Sequence, residues 1–249
     1  MPTTIDDYLI IIQARMGSSR LPKKMLEPIG DDTLFAIVVK RLASIFPKDK
    51  IVLATSDKKE DLSLIEAADE LGIFAFRGSE KNVFSRFHEI AKRNKPKYIV
   101  RITGDSPLVD PRLIQLGLQQ ILDSKLDYVS TTLDSTYPVG VHVEIFYASL
   151  IINAEVDKVT ANTKEHVTPF IYNDPKTSKS LIISDIQYPA GRYTVDYECD
   201  LVFMRSLVEA SGVELSAFTS ETLQSVKKSS PTIFDINDGI TKERIVPNG

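Results

Sequence analysis

A chain of 249 residues, 43% apolar and 26% charged, is long enough to close a large hydrophobic core and has the composition of an ordinary globular protein. Its formal net charge of −4 excludes an overall cationic field that would draw it onto nucleic acid or anionic lipid, so any anion site must be built locally. The one cysteine, Cys199, excludes an internal disulfide or a cysteine-based zinc cluster, and no apolar run approaches the roughly 20 residues that span a bilayer.

With no basic-then-apolar signal pattern at the start either, a cytoplasmic protein without nucleic-acid or membrane partners is expected. In chain order, the first predicted strand is 8–13 (YLIIIQ), followed by a basic loop over 14–24 and a helix over 33–45. A strand at 50–54, a helix over 58–71, a strand at 73–76, a helix over 82–94 and a strand at 97–102 continue the alternation. The strands are apolar at consecutive positions, as strands buried on both faces are, and the helices repeat apolar residues at three and four. This rhythm, kept to about residue 125, predicts right-handed βαβ crossovers and a three-layer α/β/α sandwich with a mostly parallel sheet. Beyond it come a strand at 127–131, a turn through TYPVG, a strand at 141–146 and helices near 147–155 and 164–172. Strand-like SLIIS and GRYTVD then precede a helix over 199–211. The expected organisation is one domain over 1–249 with a small inserted subregion, and a tail after 213 whose weak periodicity leaves its role open.

Ligands in such sheets sit at the carboxyl ends of the strands. That rule puts the 14–24 loop, Thr55-Ser56-Asp57, Arg77-Gly78-Ser79 and Thr103-Gly104-Asp105 on one rim. The loop is no Walker A motif, because GSSRLPK carries Pro22 where a second glycine is needed, and GxGxxG is absent. What remains is a strand followed by Arg15, Gly17-Ser18-Ser19, Arg20 and Lys24, a set suited to polyphosphate: glycine for unusual backbone angles, hydroxyl and amide donors, and cations. A solvated basic loop is the plainer alternative. Asp105 follows an apolar strand and a glycine, and Asp196 follows RYTV in the same way; each is either a helix-capping or turn residue or half of a magnesium site, since magnesium takes one or two carboxylates plus substrate phosphates. Asp200 reads as the cap of the next helix. Arg77 and Arg86 are candidates to read a nucleobase, or charges on solvated faces. His142 and Glu144 share a face of an alternating strand, while Glu165 and His166 open a helix whose dipole they could simply complement. His88 is read as a surface residue.

The segment IIQARMGSSRLPKKML resembles the signature of the SpsF-like branch of the cytidylyltransferases, relatives of the CMP-Kdo and CMP-acylneuraminate synthetases. RITGDSPLVDP at 101–111, YPVGVHVEIF at 137–146, EHVTPFI at 165–171 and YTVDYECDL at 193–201 are similar to that family's later blocks, in its order, so the resemblance spans about residues 8–210. It implies a nucleotide-diphospho-sugar transferase-like fold, a homodimer, and Mg²⁺-dependent transfer of CMP from CTP to a sugar, expected to be a sugar acid, for surface polysaccharide or glycan synthesis. By the same resemblance, 8–125 is the nucleotide-binding half and 126–212 the sugar-binding and dimerisation half. Asp105 and Asp196 are implied to hold the metal and, with Lys24 and Arg15, to be catalytic. Nucleotide contacts are implied for Ala14, Arg15, Gly17, Ser18, Ser19, Arg20, Lys24, Thr55, Arg77, Arg86 and Thr103, and sugar contacts for His142, Glu144, Glu165 and His166. The chain departs from the family pattern at Lys23, where glycine is common, at Asn82 and His142, where aspartate is frequent, and at Tyr197, where threonine is usual. Two other readings make different demands: a glycosyltransferase of related fold usually carries an Asp-x-Asp motif, absent here, and a non-catalytic relative would bind nucleotide without releasing pyrophosphate.

Overall fold

The computed structural model describes residues 6–134 and 136–240. Strand β1 (Tyr8–Gln13) leads through the basic loop to a two-residue hairpin, β2 (Pro28–Ile29) and β3 (Asp32–Thr33), and into α1 (Leu34–Ala43). The alternation continues as β4 (Ile51–Ser56), α2 (Leu62–Glu70), β5 (Phe74–Gly78), α3 (Val83–Asn94), β6 (Tyr98–Thr103) and α4 (Pro111–Ser124). The second part contributes β7 (Tyr128–Ser130), β8 (Glu144–Tyr147), α5 (Ala148–Ile152), α6 (Ala161–His166), α7 (Pro169–Tyr172), β9 (Lys179–Leu181), α8 (Glu198–Ser211) and α9 (Ser220–Ser229). One sheet of order β5-β4-β1-β6-β8-β7-β9 runs through both parts. It is parallel except at β8, which pairs antiparallel with β6 and β7.

The solid apolar strands are solid because both faces are covered. Ile10 and Ile12 of β1 enter one core with α1, α4 and α8, while Leu9 and Ile11 enter the other with α3, α5 and α7. Helix starts follow the capping rules: Thr33, Asn82 and Asp110 each accept a backbone N–H two or three residues on, and Pro111 occupies the first turn of α4. Asn82 caps as well as the aspartate common at that position. Among the described residues no helix is long and apolar enough to cross a membrane.

Several elements differ from the sequence reading. GRYTVD is extended but lies outside the sheet, because its amides meet isolated loop carbonyls: Tyr193 N donates to Val139 O at 2.7 Å and Val195 N to Asp105 O at 2.8 Å. The strand expected at 141–146 is regular only from Glu144. The helix expected at 164–172 is two, α6 and α7, broken at Val167 because Pro169 must start a new helix. Of the tail after 213, whose weak periodicity leaves its role open, the described residues to 240 include α9 and a following turn at Pro231–Asp235 that bury Leu223, Val226 and Phe234. His88 is a buried residue, not a surface one: α3 is covered by α5 and α6 as well as by the sheet, so its apolar face wraps further round than one stripe.

Candidate active site

The basic loop is held from beneath. Asp61, fully buried, accepts Met16 N at 2.7 Å on one oxygen; its other oxygen takes the Thr55 hydroxyl and Ser56 N, both at 2.9 Å. Met16 O in turn accepts Ser18 N at 2.9 Å and Lys23 N at 3.0 Å, closing the loop on itself. The residue with left-handed backbone is Lys23, φ 62°, rather than Gly17, which accounts for glycine being common in the family at the position Lys23 occupies. This geometry turns Lys24 inward, where only 7% of it is exposed.

Lys24 is the centre of the site. Its Nζ donates to Val195 O at 2.7 Å, to Asp196 Oδ1 at 3.1 Å and to Asp105 Oδ2 at 3.2 Å, so carboxylates 91 positions apart face one point. Arg20 donates to the same Asp196 oxygen at 2.7 Å, and Arg192 to the other at 2.7 Å. Burial pushes the Asp196 carboxyl up, but the Lys24 ammonium, aided by Arg20 and Arg192, outweighs it and holds the group below the usual carboxylate range. Asp200 is fully buried and fixes the backbone around Asp196: its Oδ2 accepts Asp196 N at 2.8 Å and Tyr197 N at 2.9 Å. Its cap role, read from sequence, is realised as a box across the start of α8. Tyr197 faces the loop, with the Arg20 guanidinium 5.2 Å from its ring centre.

A cleft of about 280 Å³ opens above these groups at the carboxyl ends of β1 and β6. It brings together Ala14, Arg15, Ser18, Ser19, Arg20, Lys24, Arg86, Thr103, Asp105, Glu165, His166 and Asp196 from the sequence-derived set. Arg15 reaches across it to Glu165 at 3.5 Å. Arg86 is 1% exposed, donates to Ala54 O at 2.9 Å and keeps an Nε with no partner, while burial lowers its guanidinium pKa to about 10. Five expected residues lie outside the lining. Gly17 sits on the exposed outer side of the loop. Thr55 is fully buried on Asp61, and Arg77 is exposed with its guanidinium on Asp57 O at 2.8 Å. Glu144 is spent on Arg101, the Tyr128 hydroxyl at 2.6 Å and the Thr168 hydroxyl at 2.5 Å, and His142 precedes the regular part of β8 instead of alternating along it. Burial first, opposed by Glu144 and joined by Arg101, lowers the His142 pKa and favours its neutral form.

Sequence reasoning missed Arg101, which lines the cleft from β6 with Gln13 and Glu144 as partners. The signal was present: an arginine inside a strand buried on both faces must find a partner or a cleft. Glu144 shows why it is tolerated, since Arg101 and two hydroxyl donors hold its carboxyl below the usual range against the upward push of burial. The same Glu144 steadies an unusual turn. Val167 takes φ 67° and ψ −56°, with Thr168 N on His166 O at 2.8 Å, a strained γ-turn that costs on the order of 1–3 kcal/mol. The Thr168–Glu144 bond and the complete burial of Val167 hold it, and it presents Glu165 and His166 to the cleft.

Among the described residues no three His, Cys, Asp or Glu side chains group into a metal cage. Two carboxylates converging on one cation at the floor of this cleft are nevertheless the hard-oxygen donor set that magnesium uses when substrate phosphates complete its shell, so Asp105 and Asp196 fit that ion.

A family model described as cytidylyltransferase matches residues 9–227. The chain is 35% identical over 227 residues to the spore coat polysaccharide biosynthesis protein SpsF of Bacillus subtilis, covering 88% of this chain and 93% of that one. A solved cytidylyltransferase from Leptospira borgpetersenii superposes with a TM-score of 0.85 at 28% identity, over 94% of this chain and 99% of that one. A CMP:2-keto-3-deoxy-manno-octonic acid synthetase complexed with CTP superposes at 0.60 with 17% identity, over 82% and 99% of the two chains, a likeness of fold.

Proposed function

Since the chain belongs to the cytidylyltransferase family, we propose that this nucleotidyltransferase, a homodimer needing Mg²⁺, moves CMP from CTP to a sugar acid with release of pyrophosphate, for surface polysaccharide or glycan synthesis. The observation that carries the reading is Lys24 held between Asp105 and Asp196 beneath a loop that presents Arg15 and Arg20. The polysaccharide-related name of the Bacillus relative and the CTP complex of the more distant synthetase support it.

Arg20 and Lys24 are already paired with a carboxylate, so triphosphate binding exchanges one anion partner for another and leaves no cation bare. Each close contact between unit charges is worth on the order of 4 kcal/mol at an effective dielectric near 20, before desolvation. Magnesium on Asp105 and Asp196 would offset charge on the α-phosphate and on the departing pyrophosphate. Arg15 and Arg20 would lie along the polyphosphate, with Arg86, which lines the same cleft, on the side proposed for the base. A hydroxyl oxygen of the sugar, held on the side of Arg101, Glu165 and His166, bonds to the α-phosphorus and releases its proton to solvent water. The bridging bond to the β-phosphate breaks, and its electron pair leaves on pyrophosphate.

The test is pyrophosphate release with CTP, Mg²⁺ and a panel of sugar acids, with other nucleoside triphosphates in parallel. Release is expected only with CTP, the correct acid and the metal, and EDTA should stop it. Nucleotide binding without release under every condition would favour a non-catalytic relative, and consumption of a preformed nucleotide sugar would favour a glycosyltransferase.

A further inference from the structure

The family match ends at residue 227, yet the chain beyond it returns to the site. The turn after α9 is anchored by Phe234, 5% exposed, whose ring packs edge-on against Phe203 of α8 at 5.5 Å. This anchor delivers Asn237, 3% exposed, to the back of the acidic cluster. Its Nδ2 donates to Asp200 Oδ1 at 2.9 Å and to Arg192 O at 3.0 Å. Asp200 Oδ1 also takes Arg192 Nε at 3.2 Å, while its Oδ2 takes the backbone of Asp196 and Tyr197. Arg192 then meets Asp196 Oδ2 at 2.7 Å. A buried carboxylate needs every lone pair met, and Asn237 supplies a neutral donor where a further cation would compete with Arg192 for Asp200.

We infer that Asn237 is a positioning residue for Asp196, which makes the C-terminal segment a working part of the nucleotidyl-transfer site; this rests on the reading of Asp196 as a metal-holding carboxylate. Asn237 acts through Asp200 on the Asp196 backbone and through Arg192 on its side chain. Partners one layer behind a metal-binding group commonly change metal affinity by about 10–100-fold when removed.

The test uses Mn²⁺ as the probe, titrated calorimetrically into the full chain with a CTP analogue carrying a methylene between the α- and β-phosphates. Asn237→Ala should weaken Mn²⁺ binding about tenfold or more. Val226→Ala, which loosens the same tail in α9 away from Asp200, should lower the melting temperature and leave Mn²⁺ affinity at the wild-type value. Asn237→Asp keeps the side chain's shape but sets a carboxylate against Asp200, and should weaken Mn²⁺ more than Asn237→Ala. A role confined to packing gives the reverse order, with Asn237→Asp close to wild type. Wild-type affinity in both Asn237 variants, or equal weakening in Val226→Ala, overturns the inference while leaving the function standing. No Mn²⁺ binding by the wild-type chain overturns the metal reading and this inference together.

Discussion

At the scale of single residues, the two candidate metal aspartates carry different structural loads. Asp196 is the shared counter-ion of Lys24, Arg20 and Arg192, whereas Asp105 pairs with Lys24 from a side chain that is 29% exposed. Removing one member of a buried pair costs about 3–5 kcal/mol, because the partner charge is left uncompensated. Asp196→Asn is therefore expected to abolish turnover and lower stability by about 3 kcal/mol, a fall in Tm of roughly 6–12 °C for a chain of this size. Asp105→Asn should abolish turnover with a loss of about 1 kcal/mol or less, as exposed pairs contribute little. Scanning calorimetry separates the two; equal shifts would show that Asp196 does not carry three cations. Asp105 was legible in sequence because a strand-Gly-Asp run marks a rim. Arg192 and Asn237 were not, since their partners lie across the fold and no periodicity reports them.

At the scale of elements, the segment from 191 to 196 is placed by the loop before β8. Gly140 has φ 101°, and a Cβ there would lie 2.2 Å from the carbonyl carbon of Tyr193, where no side chain can move aside. Gly140→Ala should cost at least about 2 kcal/mol and displace Asp196, lowering activity beyond the stability effect. Urea unfolding with a parallel pyrophosphate assay checks it, and wild-type values in both would remove the loop from the account. The sequence reads GRYTVD as strand-like, and its alternate residues Tyr193 and Val195 are fully buried. It could not tell a sheet strand from an extended segment docked on the carbonyls of Val139 and Asp105, because the ladder partner is a non-local property. The break between α6 and α7 was half legible: Pro169 announces a new helix, but the γ-turn at Val167 depends on Glu144 and Thr168.

At the scale of the whole molecule, the doubly covered strands and the βα rhythm foretold the sheet and its ligand rim, and the rim holds the cleft. The antiparallel β8 and the return of the C-terminal segment were beyond pattern reading, since short strands and aperiodic tails carry little signal. The fold brings a loop after β1, a carboxylate after β6 and a carboxylate before α8 to one lysine, and that convergence is the central claim. The most direct measurement is a crystal structure of the chain with CTP and Mg²⁺ bound. The account predicts the metal about 2.1 Å from an oxygen of each of Asp105 and Asp196, with the triphosphate against Arg15, Arg20 and Lys24. A metal touching neither aspartate, or a triphosphate bound away from that loop, would contradict it.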